Sequence, residues 1–235
     1  MPATTTRRIT VIAMAELTGA SALVRLMTLL SPAFPVGSFA YSHGLERAVQ
    51  EGLVGNRSEL VDWLGDLATF GSAWNDAVLV SCAWRAGNDG VLADLAEFSE
   101  ALAGSAERHL ETMAQGRAFA LAARAWPGSV PSVLAEGAAY PVVVGAVARR
   151  LGLALEDVLP AYLNAFVSNL VQAAVRLVPL GQTDGVAAIA ALEQTVLSAA
   201  NRAGDASLDD LGSATILSDL VSMTHETQTT RLFRS

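Results

Sequence analysis

The stretch LEDVLPAYLNAFVSNLVQAAVRL, residues 155–177, indicates the fold class of this chain of 235 residues. Its large apolar side chains recur at alternating spacings of four and three, which places them along one seam of an α-helix. The seam comprises Leu159, Leu163, Phe166, Leu170, Ala173 and Leu177. Roughly opposite lie Asn164, Ser168, Gln172 and Arg176, which we interpret as a solvated face. The pattern predicts a long helix that packs by one side against other helices.

Helical spacing continues on both sides of this stretch, and alternating β patterns are hard to find. Helix starts are predicted at Asn56 (with Glu59), at Ser105 and at Ser207 (with Asp210), because these residue types cap helix N-termini. Apolar helix faces are expected at Leu60, Trp63, Leu64, Leu67 and Phe70, and in the last helix at Leu211, Ala214, Leu217, Leu220 and Val221. Gly181 and Gly185 are expected in a turn after Pro179. We therefore expect an all-α, single-domain bundle of roughly eight to ten helices over residues 21–235, after a variable leader at residues 1–20.

Composition argues against several classes of function. The net charge of −8 and the scattered arginines disfavour a nucleic-acid surface, and the lack of any lysine excludes a phosphate-binding loop of the GxxxxGK[ST] type. The single cysteine, Cys82, excludes an internal disulfide framework, and the three histidines lack metal-ligand spacing. The longest apolar run, residues 138–148, is too short to cross a bilayer. We predict a cytoplasmic protein that has no catalytic residues, cofactor or metal ligands and binds neither nucleic acid nor membrane.

Residues 30–46, LSPAFPVGSFAYSHGLE, depart from the plain Ala/Leu/Val-rich pattern of the chain. Two prolines rigidify a turn, Gly37 allows an unusual backbone angle, and Ser38 is predicted to cap the next helix. Gly44 lies inside that predicted helix, where a close helix contact would explain it. The residues alone leave three hypotheses open for this stretch. It is part of an interaction surface, or of an all-helical enzyme in which Tyr41, His43 and Glu46 converge, or of a ligand sensor with a cavity between helices.

The C-terminal RLFRS, residues 231–235, places an aromatic residue between two arginines. These residue types are enriched at protein interfaces. Because a terminal segment usually contributes little to a bundle core, we expect its deletion to spare the fold and to abolish partner binding.

Four segments resemble the UreF family of urease accessory proteins. They are LLSPAFPVGSFAYSHGLE from Leu29, YPVVVGAVARRLGL from Tyr140, NLVQAAVRLVPLGQTDG from Asn169 and SMTHETQTTRLFRS from Ser222. The order of the segments is also that of the family, and the match spans the chain from about residue 29 to its end. The sequence departs from the family at Tyr41-Ser42-His43-Gly44, where many relatives have His-Ser-x-Gly.

The resemblance implies an all-helical homodimer that bridges UreD (also called UreH) and the nickel-carrying GTPase UreG, and that activates apo-urease as a non-catalytic scaffold. It also implies that Phe39 and Arg231 help to order the C-terminal segment for UreD binding. The partner-binding residues that follow from the two unusual stretches and the resemblance are Pro35, Gly37, Ser38, Phe39, Tyr41, His43, Gly44, Glu46, Arg176, Gln182, His225, Glu226, Arg231, Leu232, Phe233, Arg234 and Ser235.

Overall fold

A computed structural model describes residues 19–225, 228 and 230–234. These residues form one helical domain without strands, which confirms the all-α prediction. The helices are α1 (Gly19–Leu29), α2 (Leu45–Gln50), α3 (Arg57–Phe70), α4 (Ser72–Arg85), α5 (Asp89–Ala101), α6 (Ala106–Ala123), α7 (Tyr140–Arg150), α8 (Leu155–Leu177), α9 (Gln182–Asp205) and α10 (Ile216–His225). Short 3₁₀ turns cover Ser38–Ala40, Ser132–Leu134 and Leu208–Asp210. Of the predicted leader, only Gly19 and Ala20 lie within the described residues.

Helix α8 lies in the core, where it packs against α9, α4, α2 and α3. The predicted seam is buried at Leu159, Leu163, Leu170 and Ala173. Within the described residues, α8 is also the one helix long and apolar enough to cross a membrane by length and composition. Half of that apolar stretch is buried inside the protein, as in the core helix of a bundle.

The apolar run around α7 is core as well, because α7 lies closely against α4 and α6. Gly145 makes the contact with α4 possible, since a Cβ at this position would lie 2.3 Å from the carbonyl oxygen of Val80. The longest apolar run in the sequence is therefore buried between helices.

The predicted helix starts are mostly confirmed. Asn56 and Ser105 cap α3 and α6, and each side chain accepts a hydrogen bond from a backbone N–H in the first helical turn. Ser207 and Asp210 form the predicted capping box, but it opens only the 3₁₀ turn Leu208–Asp210. The last helix begins later, at Ile216.

Three predictions about packing are wrong. Gly185 lies inside α9 rather than in a turn, because its missing side chain lets the helix approach Val171 and Val175 of α8. Phe70, placed on the core face of α3, is exposed at the helix end. The apolar stripe of the last helix faces solvent at Leu217 and Leu220, while Val221 is its buried member.

Candidate interaction site

The motif loop, residues 30–46, is irregular where the sequence predicted a capped helix. Gly37 has a φ of 77° and precedes the 3₁₀ turn Ser38–Ala40, which confirms its unusual backbone angle. Ser38 caps no helix, and the helix begins only at Leu45, after Gly44 with a φ of 76°. The left-handed conformation at Gly44 is unfavourable for other residue types, so Gly44 ends the loop rather than lying within the helix.

Gly44 also allows a close helix contact, as predicted. A Cβ at this position would lie 3.0 Å from the backbone nitrogen and the Cα of Ser222 in α10. The motif loop and α10 therefore touch through backbone, which brings α2 beside the segment that follows α10.

We call residues 228 and 230–234 the tail. The tail is bound to α2 by one carboxylate, because Glu46 accepts hydrogen bonds from the backbone N–H groups of Leu232 (2.7 Å) and Phe233 (2.9 Å). The same carboxylate lies 3.3 Å from Nε2 of His225. Glu46 is buried, so these contacts compensate the loss of water around its charge.

A second carboxylate, on α6, holds the other side of the tail. Glu107 lies 2.8 Å from Nδ1 of His225 and forms an ion pair with Arg231. His225 is fully buried between the two glutamates. We call Glu46, Glu107 and His225 the tail clamp.

Phe233 anchors the tail in the core, with only 3% of its surface exposed. The guanidinium of Arg176 on α8 lies 4.3 Å from the centre of the Phe233 ring and donates a hydrogen bond to the carbonyl of Phe39. Arg234 donates from its backbone N–H to Ala40, at 2.8 Å. Asn164, Gln172 and Arg176 of the predicted solvated face are exposed, and Arg176 also joins the motif loop to the tail.

Two large side chains remain exposed beside this buried anchor. Phe39 of the motif loop is 69% exposed and Leu232 of the tail is 61% exposed. Pro35 is exposed as well. We call Phe39 and Leu232 the loop–tail surface. Hydrogen bonds hold the backbone of the motif loop in place at this surface. The side chains of Asn169 and Arg176 donate to the carbonyls of Ser38 and Phe39.

His43 belongs to a different group of side chains, on the inner side of the loop. It lies 2.8 Å from Glu111, and Arg108 contacts both His43 and Glu111. Asp76 of α4 lies 3.9 Å from Arg108 and accepts a hydrogen bond from Tyr162. We call His43, Asp76, Arg108 and Glu111 the inner ion cluster.

Burial and neighbouring charges together shift the pKa values of the groups in and beside this cluster. Desolvation raises the pKa of Asp76 above its usual value, although Arg108 and His43 act in the opposite direction. Burial alone would lower the pKa of Arg108, but Glu111 and Asp76 outweigh it and the net shift is upward. Desolvation also raises the pKa of Tyr162, with a further contribution from Asp76.

The three residues of the enzyme alternative do not form one site. His43 faces Arg108 and Glu111, whereas Glu46 faces His225 and the tail. Tyr41 is buried. In the described part of the chain, no group of three His, Cys, Asp or Glu side chains is placed to hold a metal ion. A cavity of about 1140 Å³ lies between α1 and α8, and its floor includes His43, Arg108 and Glu111.

Comparison with known proteins assigns the chain to a family. The family model for UreF matches residues 54–193. Urease accessory protein UreF of Mesorhizobium japonicum is 56% identical over 215 residues, which are 91% of this chain and 96% of that protein. UreF of Rhizobium etli is 54% identical with the same coverage, and UreF 1 of Brucella canis is 54% identical over 92% of this chain and 95% of its own. The chain belongs to the UreF family.

The UreF relatives match far more of the chain than the family model does. The model covers α3 to the middle of α9, whereas the matches to the relatives extend over more than nine-tenths of the chain. Members of the family are named urease accessory proteins, which confirms the resemblance read from the four segments.

Most of the residues predicted for the interaction site come together in this UreF-family fold, around the motif loop and the tail. Gln182 is separate from the clamp, at the first turn of α9 on the rim of the cavity. Glu226 and Ser235 lie outside the described residues. Sequence reasoning missed Glu107, Arg108, Glu111, Asp76 and Asn169. Glu107 and Glu111 resemble the charged residues of any solvated helix, and only the fold shows that Glu111 is buried and Glu107 partly buried.

Proposed function

We propose that this protein is a non-catalytic, cytoplasmic scaffold for urease maturation. It forms a homodimer, bridges UreD (UreH) and the GTPase UreG, and regulates the GTP-dependent insertion of nickel into apo-urease. Nickel is the cargo of this process. The family assignment supports the maturation role, and the specific partners are part of the proposal.

The observation that carries the proposal is the docked tail. Phe233 is buried while Leu232 beside it is exposed. The side chain of Phe39 is also exposed, and its backbone carbonyl accepts a hydrogen bond from Arg176. Exposed aromatic and aliphatic side chains held on a fixed backbone are the usual anchors of protein interfaces. The loop–tail surface is therefore our candidate site for UreD, and the partner-binding roles of the other predicted residues around it are part of the same proposal.

This arrangement changes the expectation for a tail deletion. Removing residues 231–235 takes away a buried aromatic side chain and leaves Glu46 without two of its donors. An unpaired buried carboxylate is costly. Deletion is thus a poor test of binding alone, and point substitutions on the exposed side of the tail are better.

The experiment is size-exclusion chromatography with light scattering on the protein alone, and then on mixtures with its cognate UreD and UreG. We expect a dimer and a joint complex of all three proteins. Activation of apo-urease with nickel and GTP should require the protein, and UreG should hydrolyse GTP at a different rate within the complex. A monomer that ignores both partners would contradict the proposal.

A matched pair of arginine variants tests the interface. Arg231→Ala should weaken UreD capture more than Arg57→Ala, because Arg57 forms an exposed pair with Asp184 away from the tail. Arg202 is a poor control, since it lies in α9 and its guanidinium stacks on the ring of Trp74 at 4.4 Å. Equal capture by Arg231→Ala and Arg57→Ala would count against the role of Arg231.

A further inference from the structure

His225 is the last residue of α10, and both of its ring nitrogens face carboxylates. Nδ1 lies 2.8 Å from Oε2 of Glu107, and Nε2 lies 3.3 Å from Oε2 of Glu46. An ionised carboxylate only accepts hydrogen bonds, and a neutral imidazole has only one N–H to donate. With both glutamates ionised, both contacts are hydrogen bonds when both nitrogens carry a proton, as they do in imidazolium.

The other buried histidine of the described chain has the opposite surroundings. The guanidinium of Arg108, which only donates, lies 2.6 Å from Nδ1 of His43 and 3.1 Å from its Nε2. Nε2 of His43 lies 2.8 Å from a carboxylate oxygen of Glu111. A neutral ring with its proton on Nε2 donates to Glu111 and accepts from Arg108 at Nδ1. His43 therefore needs one N–H donor, whereas His225, between two carboxylates, needs two.

With both glutamates ionised, a charged ring balances the charges around His225. Helices α2 and α6 pack against α10, and they contribute Glu46 and Glu107 to the ring, while the tail contributes Arg231 to Glu107. Two carboxylates and one guanidinium leave one negative charge, which an imidazolium neutralises. Arg47 of α2 is instead paired with Glu51.

Each carboxylate beside the ring also holds the tail. Glu46 accepts the backbone N–H groups of Leu232 and Phe233, and Glu107 pairs with Arg231. A ring that lost one proton would direct a nitrogen lone pair at one of these carboxylates and push it away from its present position. The state of the ring is thus coupled to the attachment of the tail.

We propose that His225 is an imidazolium in the folded protein and is the positioning residue that fixes the tail, and with it the loop–tail surface, through Glu46 and Glu107. The part that concerns the surface rests on the proposed function. The part that concerns the ring and the tail belongs to the isolated protein.

The ring is tested directly by NMR. With three histidines in the chain, long-range ¹H–¹⁵N correlation spectra resolve each ring, and His→Gln variants assign them. We expect His225 to show two protonated nitrogens at neutral pH, and His43 to show one protonated and one bare nitrogen. A neutral pattern at His225 overturns the proposal; this pattern is read on the wild-type protein, and the variants serve only to assign its signals.

The attachment of the tail is tested by trypsin, which cleaves this lysine-free chain only at arginines, including Arg231. His225→Gln should increase the rate of cleavage after Arg231 about tenfold or more, because cleavage follows the population of the detached tail. His109→Gln is the control, since His109 forms an exposed pair with Glu100 on the same protein. Circular dichroism checks that both variants keep the helical fold. Equal cleavage of the wild type and the His225→Gln variant overturns the proposal.

Partner capture is measured last, with the partner proposed above. If the wild type captures no partner, the proposed function fails while the ring and tail results stand. If the wild type captures its partner and His225→Gln captures it equally well with a detached tail, the positioning role at the surface fails.

Discussion

The guanidinium of Arg176 lies 4.3 Å from the centre of the Phe233 ring and donates to the carbonyl of Phe39. Arg176 is far from both Phe39 and Phe233 in sequence, and it belongs to the long core helix α8. The contact ties the motif loop and the tail to a helix that packs in the core of the bundle. The loop–tail surface is therefore supported from below by α8 as well as from the side by the tail clamp.

Replacement of Arg176 should loosen this support. We expect Arg176→Gln to weaken tail docking by about 1–2 kcal/mol, because it removes a cation–π contact and a charge-assisted hydrogen bond. Arg176→Lys should restore only part of the effect, since an ammonium lacks the planar fork that stacks and donates at once. Hydrogen exchange at the amides of Leu232 and Phe233 measures the docking. The exposed Arg57→Gln should leave both amides protected, and unchanged exchange in Arg176→Gln would contradict the assigned role.

Phe233 and Leu232 are neighbours with opposite exposure, which allows fold and binding to be separated. Phe233→Ala should lower the free energy of unfolding by about 3 kcal/mol, the lower end of the range for a buried Phe because the residue lies near the chain end. Leu232→Ala should change it by less than about 0.5 kcal/mol. Urea unfolding checks the two values. In a pull-down with UreD, Leu232→Ala should nevertheless lose capture, and a Leu232→Ala protein that binds normally would remove this side chain from the interface.

The helices of this fold follow directly from residue spacing and capping chemistry. Leu159, Leu163 and Leu170 recur with helical period and are buried, and Asn56 and Ser105 cap helices as their side chains allow. These features depend on residues close together in sequence. Gly185 was misjudged because a glycine in a close helix contact has the same sequence signature as a glycine in a turn.

The site could be predicted less completely, because its contacts join distant segments. The unusual motif loop and the aromatic end of the chain indicated the region, but nothing in the sequence pairs Glu46 with the backbone of Phe233. Glu107 looks like an ordinary acidic residue in the first turn of a helix. Its partial burial follows from the way α6, α10 and the tail meet, which local periodicity does not encode.

Asp76 should make the stability of the protein depend on pH in a defined direction. Burial raises the pKa of Asp76 in the folded state, so the folded protein binds this proton more tightly than the unfolded chain. The contribution of Asp76 to stability therefore decreases as pH rises above the unfolded pKa and becomes constant above the folded pKa. The free energy of unfolding of Asp76→Asn, minus that of the wild type, should increase from about pH 4 to about pH 7. Urea unfolding across this range measures the difference, and the exposed Asp62→Asn serves as the control. A difference that decreases with pH would contradict the assignment.

Gly44 and Gly52 have nearly the same backbone angle, φ 76° and 74°, but different neighbours. A Cβ on Gly44 would meet the backbone of Ser222 at 3.0 Å, whereas a Cβ on Gly52 would meet nothing within 4 Å. Both Gly→Ala substitutions should cost about 1–2 kcal/mol for the left-handed conformation. Gly44→Ala should cost about 1–3 kcal/mol more, because α10 must move away from the motif loop. Thermal and urea unfolding of the two variants give the difference directly.

Since α10 carries His225, Gly44→Ala should also expose the tail to trypsin, while Gly52→Ala should not. Equal behaviour of the two variants would show that the contact between Gly44 and Ser222 has no role in holding α10.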